Sequence, residues 1–73
     1  MLVNLRTEMY KRKVTIESVA DYLGIHRNSV SNKLEGDTEF SIEEAFKVRD
    51  RFFTDLSMDY LFEKDGPPNQ RGA

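Results

Sequence analysis

The sequence contains no cysteine, one histidine, two prolines and four glycines among 73 residues. Without cysteine there is no disulfide and no thiolate metal site, and a lone His26 has no partners with which to build an imidazole one. Stability therefore has to come from compact helix packing or from dimerisation, because a chain this short buries only a small core. No apolar run is long enough to span a membrane, and Met1 to Leu5 is too short for a secretory segment, with Lys11 to Lys13 following it rather than preceding it. These absences predict a soluble, cytoplasmic protein. There is no Gly-rich phosphate loop, no cofactor motif and no pair of acids that a single small domain could enclose, so neither an enzyme nor a small-molecule substrate is expected. No internal repeat is visible, and no segment reads as a strand.

What is present is helical periodicity. The stretch from Thr15 to Gly36, TIESVADYLGIHRNSVSNKLEG, reads as two short helices folded about one glycine. Ile16, Val19, Ala20 and Leu23 recur at three- and four-residue spacing and share one face. Thr15 is a good N-cap for this helix, with Glu17 in its first turn, and Gly24 stops it where a left-handed residue is needed. His26 or Arg27 opens the next helix and Gly36 closes it. In that helix Val30 and Leu34 follow Ile25 as the apolar set, while Arg27, Asn28, Ser31 and Asn32 fall on the opposite side. Two helices about a tight glycine turn form a helix-turn-helix unit.

Around this unit three further helices are expected. The first runs from an Asn4 cap to about Arg12, with Leu2, Leu5 and Met9 inward and Arg6, Glu8 and Lys11 in water. The Lys11-Arg12-Lys13 triplet ending it serves either as a C-terminal charge preference or as a phosphate contact. Val14 inserts into the core as the chain turns. Ser41 and Glu44 stand at capping-box spacing before a fourth helix, whose apolar side is Ile42, Ala45, Phe46, Val48, Phe52 and Phe53. Arg49 interrupts that face, and either snorkels from the core edge or pairs with Asp50 or Asp55. Thr54 and Asp55 form a break, and Ser57 caps a last short helix in which Leu61 faces the core. Met58, Tyr60 and Phe62 cannot all turn inward there. The expected fold class is all-α: a compact bundle of five short helices over 1–64, followed by a flexible tail over 65–73, where DGPPNQRGA precludes a regular element.

The net charge of −2 is divided unevenly. Residues 1–36 carry six Lys or Arg against four acids, a net of +2, and residues 37–73 carry five against nine, a net of −4. The two halves have different electrostatic roles.

ESVADYLGI, the Gly24 turn, the Val30 and Leu34 spacing and the closing Glu35-Gly36 resemble the phage-repressor helix-turn-helix family of the lambda-repressor and Cro (C1) type. The likeness continues through SIEEAFKVRDRFF into LSMDYLF and covers roughly residues 2 to 63. The resemblance implies a transcriptional repressor from a phage or prophage, acting as a homodimer on double-stranded DNA, with the helix from about Arg27 to Glu35 in the major groove. It implies base contacts by Arg27, Asn28, Ser31 and Asn32, and phosphate contacts by Lys11, Arg12, Thr15, His26 and Lys33. The base-edge chemistry agrees: Arg chelates guanine O6 and N7, Asn pairs with adenine N6 and N7, and Ser reaches either. Three positions depart from the family. Ile16 stands where many members carry a phosphate-binding Gln, Asp37 and Glu39 place negative charge in the following loop, and Lys13 stands where Gly is common. The alternative is a protein-interaction module, antitoxin-like or polymerase-binding, that uses the acidic fourth and aromatic fifth helices.

Overall fold

A computed structural model describes residues 1–63. All regular structure among them is helical: α1 (Val3–Arg12), α2 (Ile16–Leu23), α3 (Arg27–Glu35), α4 (Ile42–Phe52) and α5 (Met58–Leu61). The tail expected over 65–73 lies outside the described residues.

One core cluster takes a few side chains from every helix. Leu2, Leu5 and Met9 come from α1 and its cap, Val19 and Ala20 from α2, Val30 and Leu34 from α3, Val48 from α4, Leu61 from α5, and Phe53 from the residue that ends α4. Val14, Ile16, Leu23, Ile25, Phe40, Phe52, Leu56 and Phe62 pack around its edge. Each fully buried Val, Leu or Phe contributes about 1.5–3 kcal/mol of transfer free energy.

Local rules set most of the helix ends. Thr15 Oγ1 accepts the Ser18 amide at 3.0 Å, and Ser57 Oγ accepts the Tyr60 amide at 3.1 Å. Ser41 and Glu44 close a reciprocal capping box, with both bonds at 3.0 Å. Gly24 (φ +73°) and Gly36 (φ +96°) end α2 and α3 in the positive-φ region. The same conformation ends α1, but there the residue is Lys13, at φ +60°. A glycine would meet this backbone demand without strain, whereas lysine occupies it with a strained Cβ.

The structure corrects three expectations. Asn4 does not cap α1: the helix begins at Val3 with Leu2 as its uncapped N-cap. Leu2 is drawn into the core, and its amide donates to the Leu34 carbonyl at 2.9 Å, which leaves the Asn4 amide to donate to the Tyr60 carbonyl at 2.9 Å. Glu8 is not in water but 5% exposed. It lies beside the Leu5 and Met9 stripe, and α5 folds over it, so that the Tyr60 hydroxyl donates to its carboxylate at 2.8 Å. Arg12 Nε (3.4 Å) and Lys11 Nζ (3.6 Å) supply the countercharge. Ile42 does not face the core and is 77% exposed, with Phe46 one turn on also exposed. Ala45, Val48 and Phe52 form the inward stripe of α4, and 42 and 46 make a separate strip on the solvent side.

Arg49 pairs with Asp50 at 2.9 Å, and Asp55 is taken by Arg12. That guanidinium forks onto Asp55 at 2.7 and 2.9 Å and lies over the Phe53 ring, 5.5 Å from its centroid. Thus the end of α1 is tied to the α4–α5 turn. Of the three side chains that could not all turn inward, Met58 and Phe62 are half-buried and Tyr60 is exposed apart from its bonded hydroxyl.

The three positive-φ positions differ in what they demand. A Cβ at Gly24 meets nothing within 4 Å, whereas one at Gly36 sits 3.1 Å from the Met1 backbone nitrogen. Gly24→Ala is expected to cost about 1 kcal/mol, Gly36→Ala about 2–3 kcal/mol, and Lys13→Gly to stabilise by about 0.5 kcal/mol. Thermal melts of the three variants check that order.

The Glu8–Tyr60 bond gives the fold a pH window. The Tyr60 hydroxyl, opposed by burial and assisted by Lys11 and Arg12, holds the Glu8 carboxyl below its ordinary value of 4.5. The same bond and the burial raise the Tyr60 phenol above its ordinary 10.0. Arg12 likewise lowers Asp55, and the Ser41 amide, ahead of Lys33, lowers Glu44. A depressed carboxyl stabilises the fold above its unfolded value and loses that contribution as pH falls through the folded one. A raised phenol stabilises below its unfolded value and loses that contribution as pH rises through the folded one. Stability should therefore plateau between about pH 5 and pH 9 and fall on both sides. Tyr60→Phe, followed by urea melts across pH, is expected to lower the plateau and to weaken the alkaline decline, while Asp55 and Glu44 preserve an acid one.

Candidate nucleic-acid interface

The outer face of α3 is presented by what its inner face is packed on. Val30 is fully buried and Leu34 nearly so, and these two side chains pin the helix across α2 and the start of α1. The turn at residues 24–26 is closed by backbone bonds from Gly24 and Ile25 to the Ala20 carbonyl at 2.8 and 3.0 Å. Its last residue caps α3: His26 Nδ1 accepts the Asn28 amide at 3.1 Å. An imidazole that accepts through Nδ1 carries its proton on Nε2, and His26 is exposed at the helix start. Histidine lies outside the usual Ser, Thr, Asp and Asn set of N-caps, so this role has no sequence signal.

Arg27, Asn28 and Asn32 are exposed on α3 and Ser31 is half-buried. Arg27, Asn28 and Ser31 share one notch of about 360 Å³ with Thr15, Ile16 and Glu17 of the α2 start. The fold thus brings four of the expected contact residues, Thr15, Arg27, Asn28 and Ser31, to one place. Asn32 continues the α3 face one turn on.

The remaining cations stand elsewhere. Lys11 and Arg12 belong to the α1 end, where both approach Glu8 and Arg12 also grips Asp55. Lys33 is mostly covered: its ammonium lies 3.4 Å from Glu44, donates to the Glu39 carbonyl at 3.2 Å and sits 5.9 Å from the Phe40 ring centroid. A phosphate contact by Arg12 or Lys33 would compete with these bonds, whereas the exposed Lys11 is the least committed of the three.

Sequence reasoning missed Glu17. Its carboxylate accepts from Arg27 Nη1 at 3.1 Å, from the first turn of α2 to the first turn of α3. No helical spacing rule connects residues ten apart across a turn, so the pair is visible only once the two helices are folded together.

Chemically, this face offers a guanidinium fork, two carboxamides that each donate and accept, a hydroxyl and an imidazole N–H. Each of these groups can exchange hydrogen bonds with base edges or phosphates. Among the described residues no helix is long and apolar enough to cross a membrane. No protein-family model, no curated protein and no solved structure matches the chain. The reading of the face rests on its own residues and geometry.

The His26 cap can be checked directly. His26→Ala is expected to cost about 1 kcal/mol, which for a domain of this size lowers the melting temperature by about 4–8 °C. His26→Asn, which supplies another capping acceptor, should recover most of the loss; equal melting of wild type and His26→Ala would show that the bond contributes nothing.

Proposed function

We propose that this chain is a sequence-specific DNA-binding regulator of transcription, a repressor of phage or prophage type that acts in the cytoplasm as a homodimer. The observation that carries the reading is the outer face of α3, where Arg27, Asn28 and Asn32 stand exposed on a helix fixed from behind by Val30 and Leu34. α2, the Gly24 turn and α3 act as a helix-turn-helix unit in this reading, and α3 enters the major groove, which is wide enough for one helix. Arg27 reads guanine, Asn28 and Asn32 read adenine, and Ser31 supports either. The first-turn amides of α2 beside Thr15, together with the His26 Nε2–H and Lys11, meet phosphates and set the register.

Two copies place their recognition helices on half-sites about 34 Å apart. A second copy is needed because a chain of net charge −2 has few uncommitted cations for phosphate. Repression follows from occupying a promoter, with no chemistry involved.

A second reading has its own observation: Ile42 and Phe46 are exposed on α4 beside Glu43 and Asp50. Such a strip suits a protein partner, for instance a toxin or a polymerase subunit, and lies on different residues from the α3 face.

Binding-site selection from a randomised duplex pool, with oligomeric state measured in parallel, tests the leading reading. An enriched, two-fold symmetric site is expected. Asn28→Ala and Asn32→Ala should each cost about 1–3 kcal/mol at one position of that site and relax preference there. Lys11→Ala should weaken all duplexes alike and reduce the salt slope by about one. A folded protein that enriches no sequence overturns the reading, and retention of a protein partner without DNA favours the second.

A further inference from the structure

The Glu17–Arg27 pair sits at the mouth of the notch between the α2 start and the α3 face, and neither side chain is needed for the core. The Arg27 side chain is 64% exposed and that of Glu17 is 70% exposed, with the carboxylate 3.1 Å from Nη1. Glu17 is also the only acid lining the notch. A carboxylate there presents two acceptor oxygens to a guanidinium, as a phosphate does and as the O6 and N7 edge of guanine does. It therefore competes for Arg27 with both kinds of DNA contact, but on unequal terms. A single phosphate contact offers Arg27 little more than Glu17 already gives it. A bidentate guanine contact is geometrically fixed and adds shape to charge.

Resting on the DNA-binding reading above, we infer that Glu17 is a specificity-determining residue: it holds Arg27 away from undirected phosphate contacts and releases it to a guanine in the correct site. Glu17 contacts no base in this scheme and acts through Arg27. An acidic residue beside the recognition face is then part of discrimination rather than a flaw in it.

The test is a double-mutant cycle on the intact chain with Glu17→Gln, Arg27→Ala and the double variant. Binding to a random-sequence duplex and to the selected site is measured over a range of salt. Glu17→Gln should tighten random-duplex binding about three- to fivefold. It should also steepen the random-duplex salt slope by about one, as expected for one more phosphate neutralised. Binding to the selected site should tighten less, so the ratio of specific to random affinity falls. In the Arg27→Ala background the same substitution should do little. Glu17→Asp, which keeps the charge on a shorter arm, should lie between wild type and Glu17→Gln.

Each other outcome removes the inference. If Glu17→Gln leaves both affinities unchanged while wild type binds a selected site, the Glu17 inference fails alone. If the gain persists in full without Arg27, Glu17 acts only by repelling phosphate and the pair has no role. If wild type and Glu17→Gln both bind no duplex, the DNA reading fails and takes this inference with it. Because both side chains are exposed, the variants should melt with wild type, and Glu17→Ala provides a second removal of the carboxylate should Gln find a new partner.

Discussion

The constraint on which this structure depends is helix length. The longest helix, α4, has 11 residues and the shortest, α5, has 4, whereas isolated helices below about 12–15 residues are marginal in water. None of the five holds itself, so each is fixed at its ends by something outside it. Thr15, His26, Ser41 and Ser57 side chains take up free amides at four N-termini. α1 lacks a capping side chain and is instead tied by backbone and side chain to α3 and α5, through Leu2 to Leu34 and Asn4 to Tyr60. At its other end Glu8 and Arg12 reach Tyr60 and Asp55. The burial of Glu8 is tolerable because its oxygens are met by a hydroxyl and two cations, and removing one partner leaves the buried charge less fully compensated. That node also explains why so small an element as α5 has a defined position.

The charge asymmetry of the sequence takes on a meaning in this arrangement. Arg12 and Lys33, from the basic half, are held by Asp55 and Glu44 of the acidic half. Arg6 pairs with Glu35 and Arg27 with Glu17 inside the basic half itself. Two acids of the second half, Asp55 and Glu44, thus neutralise cations that would otherwise be offered to a polyanion. The exposed pairs among them, Arg6–Glu35 and Arg27–Glu17, contribute little stability individually. Their larger effect is on availability: among the described residues Lys13, Lys47 and Arg51 form no ion pair with a carboxylate, and Lys11 approaches one only at 3.6 Å.

Legibility in the sequence followed the range of the interaction. The Ser41–Glu44 box, the Thr15 cap and the glycines at 24 and 36 are set by neighbours within a few residues, and each stands where the sequence predicts it. The apolar stripes of α1, α2 and α3 were legible for the same reason, since periodicity is a local property. What failed was decided at a distance. Glu8 reads as solvated until Tyr60, 52 residues on, is folded over it. Ile42 reads as core because it is apolar and in register with Ala45, yet it is left exposed while Ala45 is buried. Of the proposed interface, the α3 face was legible as the polar side of an amphipathic helix. The acid across the notch was not, because it depends on how α2 and α3 meet.

The division of labour within α3 is what makes the proposed reading coherent for an acidic protein. Two side chains, Val30 and Leu34, carry its attachment, so the outward positions are under no packing constraint and their identities are free to serve recognition. Base readout requires directional donors and acceptors rather than net positive charge, and Arg27, Asn28, Ser31 and Asn32 supply those. Phosphate contacts require charge, and there the chain is poor, with Ile16 contributing no polar atom at the α2 start and Lys33 turned under Phe40. Under the proposed reading, base contacts would then carry a larger share of the affinity than phosphate contacts do. Such a share raises discrimination between sites at the expense of tightness, and it is the balance in which pairing two copies on one site gains most, because each half contributes sequence information while the weak phosphate contribution is doubled.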